Sequence, residues 1–170
     1  MVRMIAGERF KLGNDTAQSL CRDRLCLGIL TIFKKCEWRR AMSRDRMLLA
    51  LMGVYAVASL VHFVHNAVYI DEYPNLPAWL TPVGVYAAWL VVVAVGVVGY
   101  WALRNVSTIA GLVVIGIYAA LGFGGLDHYA VAPVSAHSTA MNLTILAEVV
   151  AASLLLVAVV WRVMTRPPVR

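Results

Sequence analysis

The chain has 170 residues, 61% of them hydrophobic, and a mean hydropathy of +0.76, well above the roughly half-apolar composition of a water-soluble domain. A freely soluble globular protein is thereby excluded. The net charge of +6 would suit a nucleic-acid partner if it covered a folded surface, but eleven of the fifteen Lys and Arg residues lie between Arg3 and Arg46, so no nucleic acid is expected.

Residues 1–41 carry scattered charges, Gly7, Gly13 and one short apolar run, Leu25 to Phe33. That run is too short to span a bilayer and lacks the small-residue cleavage site of a secretory signal. Two readings stand for this cytoplasmic N-terminal segment. It is either a surface helix whose Lys34, Lys35, Arg39 and Arg40 face anionic lipid, or a dispensable leader to a protein that begins at Met42. Cys21, Cys26 and Cys36 fall here, on the reducing side, with no zinc spacing, so they are read as ordinary thiols.

From residue 42 to 170 the chain reads as one transmembrane domain. Four apolar stretches, about 47–70, 80–102, 106–126 and 138–161, reach the roughly 20 residues that cross the hydrocarbon core as a helix. Because that core offers no water to the backbone, even the valine-rich 91–98 is expected to be helical. Short connections make consecutive helices antiparallel neighbours, so the predicted fold is all-α, an integral membrane up-down-up-down four-helix bundle in the lipid bilayer. Loops 71–79 and 127–137 hold no Lys or Arg, whereas Arg104, Arg162, Arg166 and Arg170 lie on the other side with the N-terminal cluster. The positive-inside rule then puts both termini in the cytoplasm and those two loops outside, in the cell (inner) membrane. Tyr73, Trp79 and Tyr129 are expected in the outer aromatic belt, with Tyr100, Trp101 and Trp161 in the inner one. Gly116, Ala120 and Gly124 form a small-residue seam that would admit another helix, of this chain or of a second copy in a homo-oligomer.

The informative residues are those that hydrocarbon penalises. All four histidines lie toward the predicted outer side: His62 and His65 late in the first span, His128 just after the third, His137 at the start of the fourth. On the first span Tyr55, Ser59, His62, Asn66 and Tyr69 share a helical stripe, and on the fourth so do His137, Met141, Thr144 and Glu148. Glu148 lies roughly 16 Å deeper than His137, near mid-bilayer, where a carboxyl group must be protonated, paired or facing a hydrated cavity. Asp71, Glu72 and Asp127 lie at the outer mouth.

These residues predict an outward-opening polar pocket, for which three functional readings compete with a purely structural one. The leading reading is a metal centre, for a copper or divalent ion, with His62, His65, His128, His137 and Asp127 as ligands. A second is a b-type haem held by His65 and His137. In the third, a membrane enzyme or carrier for a lipid-like molecule, histidine and Glu148 move protons and Glu148 is the catalytic residue. The pocket requires the stripe of Tyr55, His62 and Asn66 to face that of His137, Met141 and Glu148.

Overall fold

A computed structural model describes residues 45–75, 77 and 79–165. The expectations for residues 1–41 therefore lie outside the described residues. The described chain from Arg46 onward forms one compact unit. Among these residues there is no strand, and four helical segments are long and apolar enough to cross a membrane: Asp45–Val68, Pro82–Asn105, Thr108–Val131 and Thr139–Met164. The all-α class and the number of spans are as the sequence predicts.

Helix α1 (Asp45–Val68) buries Leu48, Met52, Tyr55, Ser59 and His62, spaced alternately by four and three residues, so a single stripe faces the bundle. The N-terminal half of that stripe is apolar and the C-terminal half polar. Helix α2 (Pro82–Asn105) starts where the Thr81 hydroxyl accepts from the Gly84 amide and Pro82 takes a first-turn position that needs no N–H donor. It turns sharply at Val106–Ser107 into α3 (Thr108–Leu121), whose first turn is capped by Ser107 accepting from the Ala110 amide.

The α2–α3 contact is made by glycines. A Cβ on Gly111 would stand 2.3 Å from the Leu103 backbone, one on Gly99 2.9 Å from Ile115, and one on Gly96 3.0 Å from the Tyr118 ring. The paired positions run in opposite order along the two helices, which are therefore antiparallel. Where lipid tails are as apolar as leucine, close backbone approach of this kind supplies the dispersion contact that holds helices together.

The third span does not end at residue 126. It passes through a 3₁₀ stretch, Gly122–Leu126, into a short helix α4 (Asp127–Val131), so most of the predicted outer loop is helical. Polar Asp127 and His128 made that end illegible by composition. A second 3₁₀ turn, Val134–Ala136, leads to α5 (Thr139–Met164), capped by Ser138 accepting from the Met141 amide. Helix α5 buries Met141, Ile145, Glu148, Ala152, Leu155 and Val159, again at alternating spacings of four and three. The apolar core joins Leu48, Met52, Leu103, Leu112, Ile115, Ala119, Leu155 and Val159 from α1, α2, α3 and α5.

Trp79, Trp101 and Trp161 are exposed, as belt residues should be. Tyr73 is not one of them: it is 4% exposed and lies among the histidines. The small-residue seam is divided between the two surroundings. Gly116 packs near Val159 of α5 in the same chain, while Ala120 and Gly124 are exposed and Gly124 has no neighbour within 4 Å of its Cβ position.

Candidate functional site

The C-terminal ends of α1 and the third span and the N-terminal end of α5 meet in a polar cluster built from α1's inward stripe. His62 and Glu148, each 2% exposed, come together with Nε2 and Oε2 3.7 Å apart. Room for the pair is provided by Gly125 of the 3₁₀ stretch, whose Cβ would stand 3.3 Å from Glu148 Oε2 and 3.9 Å from His62 Nε2. Below it, the Tyr55 and Tyr118 rings pack with centroids 4.6 Å apart and their planes tilted by 54°.

The hydrogen bonds determine how the rings carry their protons. Asn66, one turn beyond His62, has its Nδ2 3.1 Å from His62 Nε2 and 3.2 Å from His128 Nε2. An amide nitrogen only donates, so both Nε2 atoms accept. His62 Nδ1–H then donates to Thr144 Oγ1 at 3.4 Å, and Thr144 in turn donates to the Met141 carbonyl at 2.9 Å. Beside this chain, the Tyr73 phenol oxygen lies 2.9 Å from His65 Nδ1. His137 donates from Nδ1 to the Pro133 carbonyl at 3.1 Å, which leaves its Nε2 an acceptor. Outside the spans, burial pushes the Tyr73 phenol up to about 12.

Four side-chain atoms of this region are buried without a hydrogen-bond partner: Tyr55 Oη, Asn66 Oδ1, His137 Nε2 and Glu148 Oε2. On the donor assignment above, Asn66 Oδ1 and His137 Nε2 can only accept. Tyr55 Oη, by contrast, carries a hydrogen to give.

The structure thus brings His62, Asn66, Thr144, Glu148, His128 and His137 together, with His65 half-buried behind Tyr73. Asp127 is exposed at the start of α4, and Asp71 and Glu72 are exposed too. Tyr69, predicted on the inward stripe, is exposed and rests on the His65 ring instead. Tyr73 was missed because it follows the end of α1 and belongs to no periodic stripe.

The geometry does not favour the metal reading. Among the described residues no three His, Cys, Asp or Glu side chains are placed to hold an ion, because Asn66 lies between His62 and His128 and engages both Nε2 lone pairs. Nor does a haem fit between His65 and His137, since Tyr73 fills that space with its ring centroid 5.8 Å from one imidazole and 6.4 Å from the other. Comparison with protein-family models, curated proteins and solved structures returned no match.

Proposed function

We propose that this multi-pass membrane protein works through a membrane-buried acid–base site centred on His62 and Glu148, and that it acts on, or carries, a lipid-like molecule by proton exchange. The observation that carries this reading is the juxtaposition of the two ionisable groups at 3.7 Å, 2% exposed, beside acceptors that lack donors. Ionisable groups within a span are expensive and are read by default as functional. A proton arriving at His62 Nε2 displaces the Asn66 amide and leaves an imidazolium facing Glu148, so the pair has two arrangements separated by one proton. Toward the end of α1 the His65–Tyr73 pair supplies two further groups that can exchange protons.

In this proposal the bundle is up-down-up-down, both termini are cytoplasmic and the cluster opens outward in the cell membrane, on the Lys/Arg asymmetry. In a background free of Cys21, Cys26 and Cys36, a cysteine replacing exposed Glu72 reacts with an impermeant thiol reagent on intact cells, and one replacing Arg104 does not. The reverse pattern would invert the orientation.

The acid–base reading is tested with the protein in nanodiscs, by following the ¹⁵N imidazole signals across pH in the wild type and in Glu148→Gln. Glutamine keeps the shape and removes the exchangeable proton, so the His62 titration is expected to move while His65, farther out, changes little. If the His62 profile is the same in both proteins, Glu148 is only packing and the acid–base reading fails.

A further inference from the structure

Helix α5 addresses both nitrogens of one imidazole. Thr144 Oγ1 lies 3.4 Å from His62 Nδ1, and Glu148 Oε2 lies 3.7 Å from His62 Nε2. The two α5 residues are four apart, one turn and roughly 6 Å along the axis, so a single face of the helix reaches both edges of the ring. Thr144 takes part with only half of its hydroxyl. Its hydrogen is given to the Met141 carbonyl, 2.9 Å away in the preceding turn, as helical threonines commonly bond to their own backbone. What it presents to His62 is therefore lone pairs, and at Nδ1 only an N–H can meet them.

We infer that Thr144 is a positioning residue for the His62–Glu148 pair: it commits His62 to the tautomer protonated at Nδ1 and so makes Nε2 the nitrogen through which the pair exchanges its proton. The role rests on the acid–base function proposed above and gives that exchange a direction. In a neutral imidazole, the nitrogen that holds the hydrogen is decided by the bonds the ring makes. With Nδ1–H on Thr144, the Nε2 lone pair faces Glu148, so His62 is the base and Glu148, protonated, is the acid. Transfer breaks the Oε2–H bond, forms Nε2–H, displaces the Asn66 amide from that lone pair, and leaves a carboxylate beside an imidazolium. The 3.7 Å gap closes by roughly 1 Å in that step, to the length of a charge-assisted hydrogen bond.

Asn66 favours the same tautomer, because its amide nitrogen donates to Nε2 at 3.1 Å. In the other tautomer Nε2–H would meet that N–H, and a bare Nδ1 would meet the lone pairs of Thr144. The neighbouring imidazoles are engaged elsewhere, His128 by Asn66 and His65 by Tyr73. The two locks differ in one respect. Asn66 is displaced when the proton moves, whereas Thr144 keeps its bond throughout, since Nδ1 carries a hydrogen in the neutral ring and in the imidazolium alike. Thr144 is therefore the group that holds the ring in register through the exchange.

The test uses the full chain in nanodiscs, labelled with ¹⁵N-histidine and observed at a pH where the rings are neutral. Protonated and bare ring nitrogens differ widely in ¹⁵N shift, so the tautomer at His62 is read directly. Because Asn66 acts in the same direction, the comparison is made in Asn66→Leu, where His62 is expected to stay protonated at Nδ1. Adding Thr144→Val, which removes the hydroxyl and keeps the shape, should change the tautomer ratio about tenfold, equivalent to 1.4 kcal/mol. Thr144→Ser in the same chain should restore it. His137, whose Nδ1 is held by the Pro133 carbonyl, should not respond. With Asn66 intact, Thr144→Val should speed exchange of the His62 Nδ1 hydrogen several-fold and leave the thermal transition in place, Thr144 being only half-buried. A tautomer ratio indifferent to Thr144→Val, or an unchanged Nδ1–H exchange, would reduce Thr144 to helix packing and overturn the inference. A ratio that responds to Thr144→Val, together with a His62 titration indifferent to Glu148→Gln, would keep Thr144 as the group that sets the tautomer and discard the acid–base reading. The opposite pair of results would do the reverse.

Discussion

The α2–α3 hairpin and the meeting of α1, the third span and α5 solve the same problem by different means. The hairpin is held by Gly96, Gly99 and Gly111, which bring the two helices together with no side-chain hydrogen bond between the described residues of that contact. The other junction is held by His62, Asn66, His128 and Thr144, whose hydrogen bonds reach across larger gaps. In hydrocarbon neither region gains much from burying apolar surface, since lipid buries it equally well. What differs is what each contact specifies. Glycines set how close two helices come, whereas directional bonds set how each is rotated about its axis.

The largest effect is expected where closeness is at stake. Gly111→Leu, forced against the Leu103 backbone, should abolish the folded state seen as a thermal transition in detergent. Even Gly111→Ala should destabilise by about 3 kcal/mol, the upper end for overpacking, because the obstructing atoms are backbone. An unchanged transition in either variant would show that the hairpin is not set by that glycine.

A smaller effect is expected at the polar junction. His62→Leu removes the bonds to Asn66 and Thr144 but keeps the volume, and bilayer hydrogen bonds average only about 0.6 kcal/mol each, so a loss of about 1–2 kcal/mol is expected in reversible unfolding. A loss as large as at Gly111 would mean that rotation and closeness are not separable here.

Tyr73 sharpens the comparison through pH. Its phenol is raised from 10.0 to about 12, so the folded protein holds a proton that the unfolded chain gives up above pH 10. Stability therefore falls as pH rises from about 10 toward 12, and Tyr73→Phe should flatten that decline in denaturation midpoints measured across the window. The smallest change is expected for Gly124→Ala, which meets nothing within 4 Å and should alter stability by no more than about 0.5 kcal/mol.

Much of this was legible in the sequence because hydrocarbon simplifies the rules. Twenty-residue apolar runs located all the spans to within a few residues, apart from the far end of the third. Periodicity put His62 and Glu148 on inward stripes whose meeting the structure shows. On α5 it was less sharp, for Ile145 rather than Thr144 takes the buried position between Met141 and Glu148. What periodicity could not reach was loop geometry: Tyr73 and its bond to His65 depend on how the chain leaves α1, and His137 is turned by its bond to the Pro133 carbonyl. The metal expectation goes unsupported for a different reason. Residue types reveal which atoms can ligate, but not that an amide such as Asn66 will lie between two of them.

The 3₁₀ stretch in the third span acts as an angular adapter. An α-helix advances about 100° per residue and a 3₁₀ helix about 120°, so the five residues Gly122–Leu126 add about 100° of screw to the segment beyond them. In an unbroken α-helix, His128 would stand about 120° away from Gly122, off the face that packs against Tyr55 and Ala152. With the tighter winding, Gly122, Gly125 and His128 fall in line at intervals of three, and the imidazole is delivered to Asn66. A run of glycines that reads as a weak place in a helix is, in this fold, the gearing that turns one span's outer end toward the site.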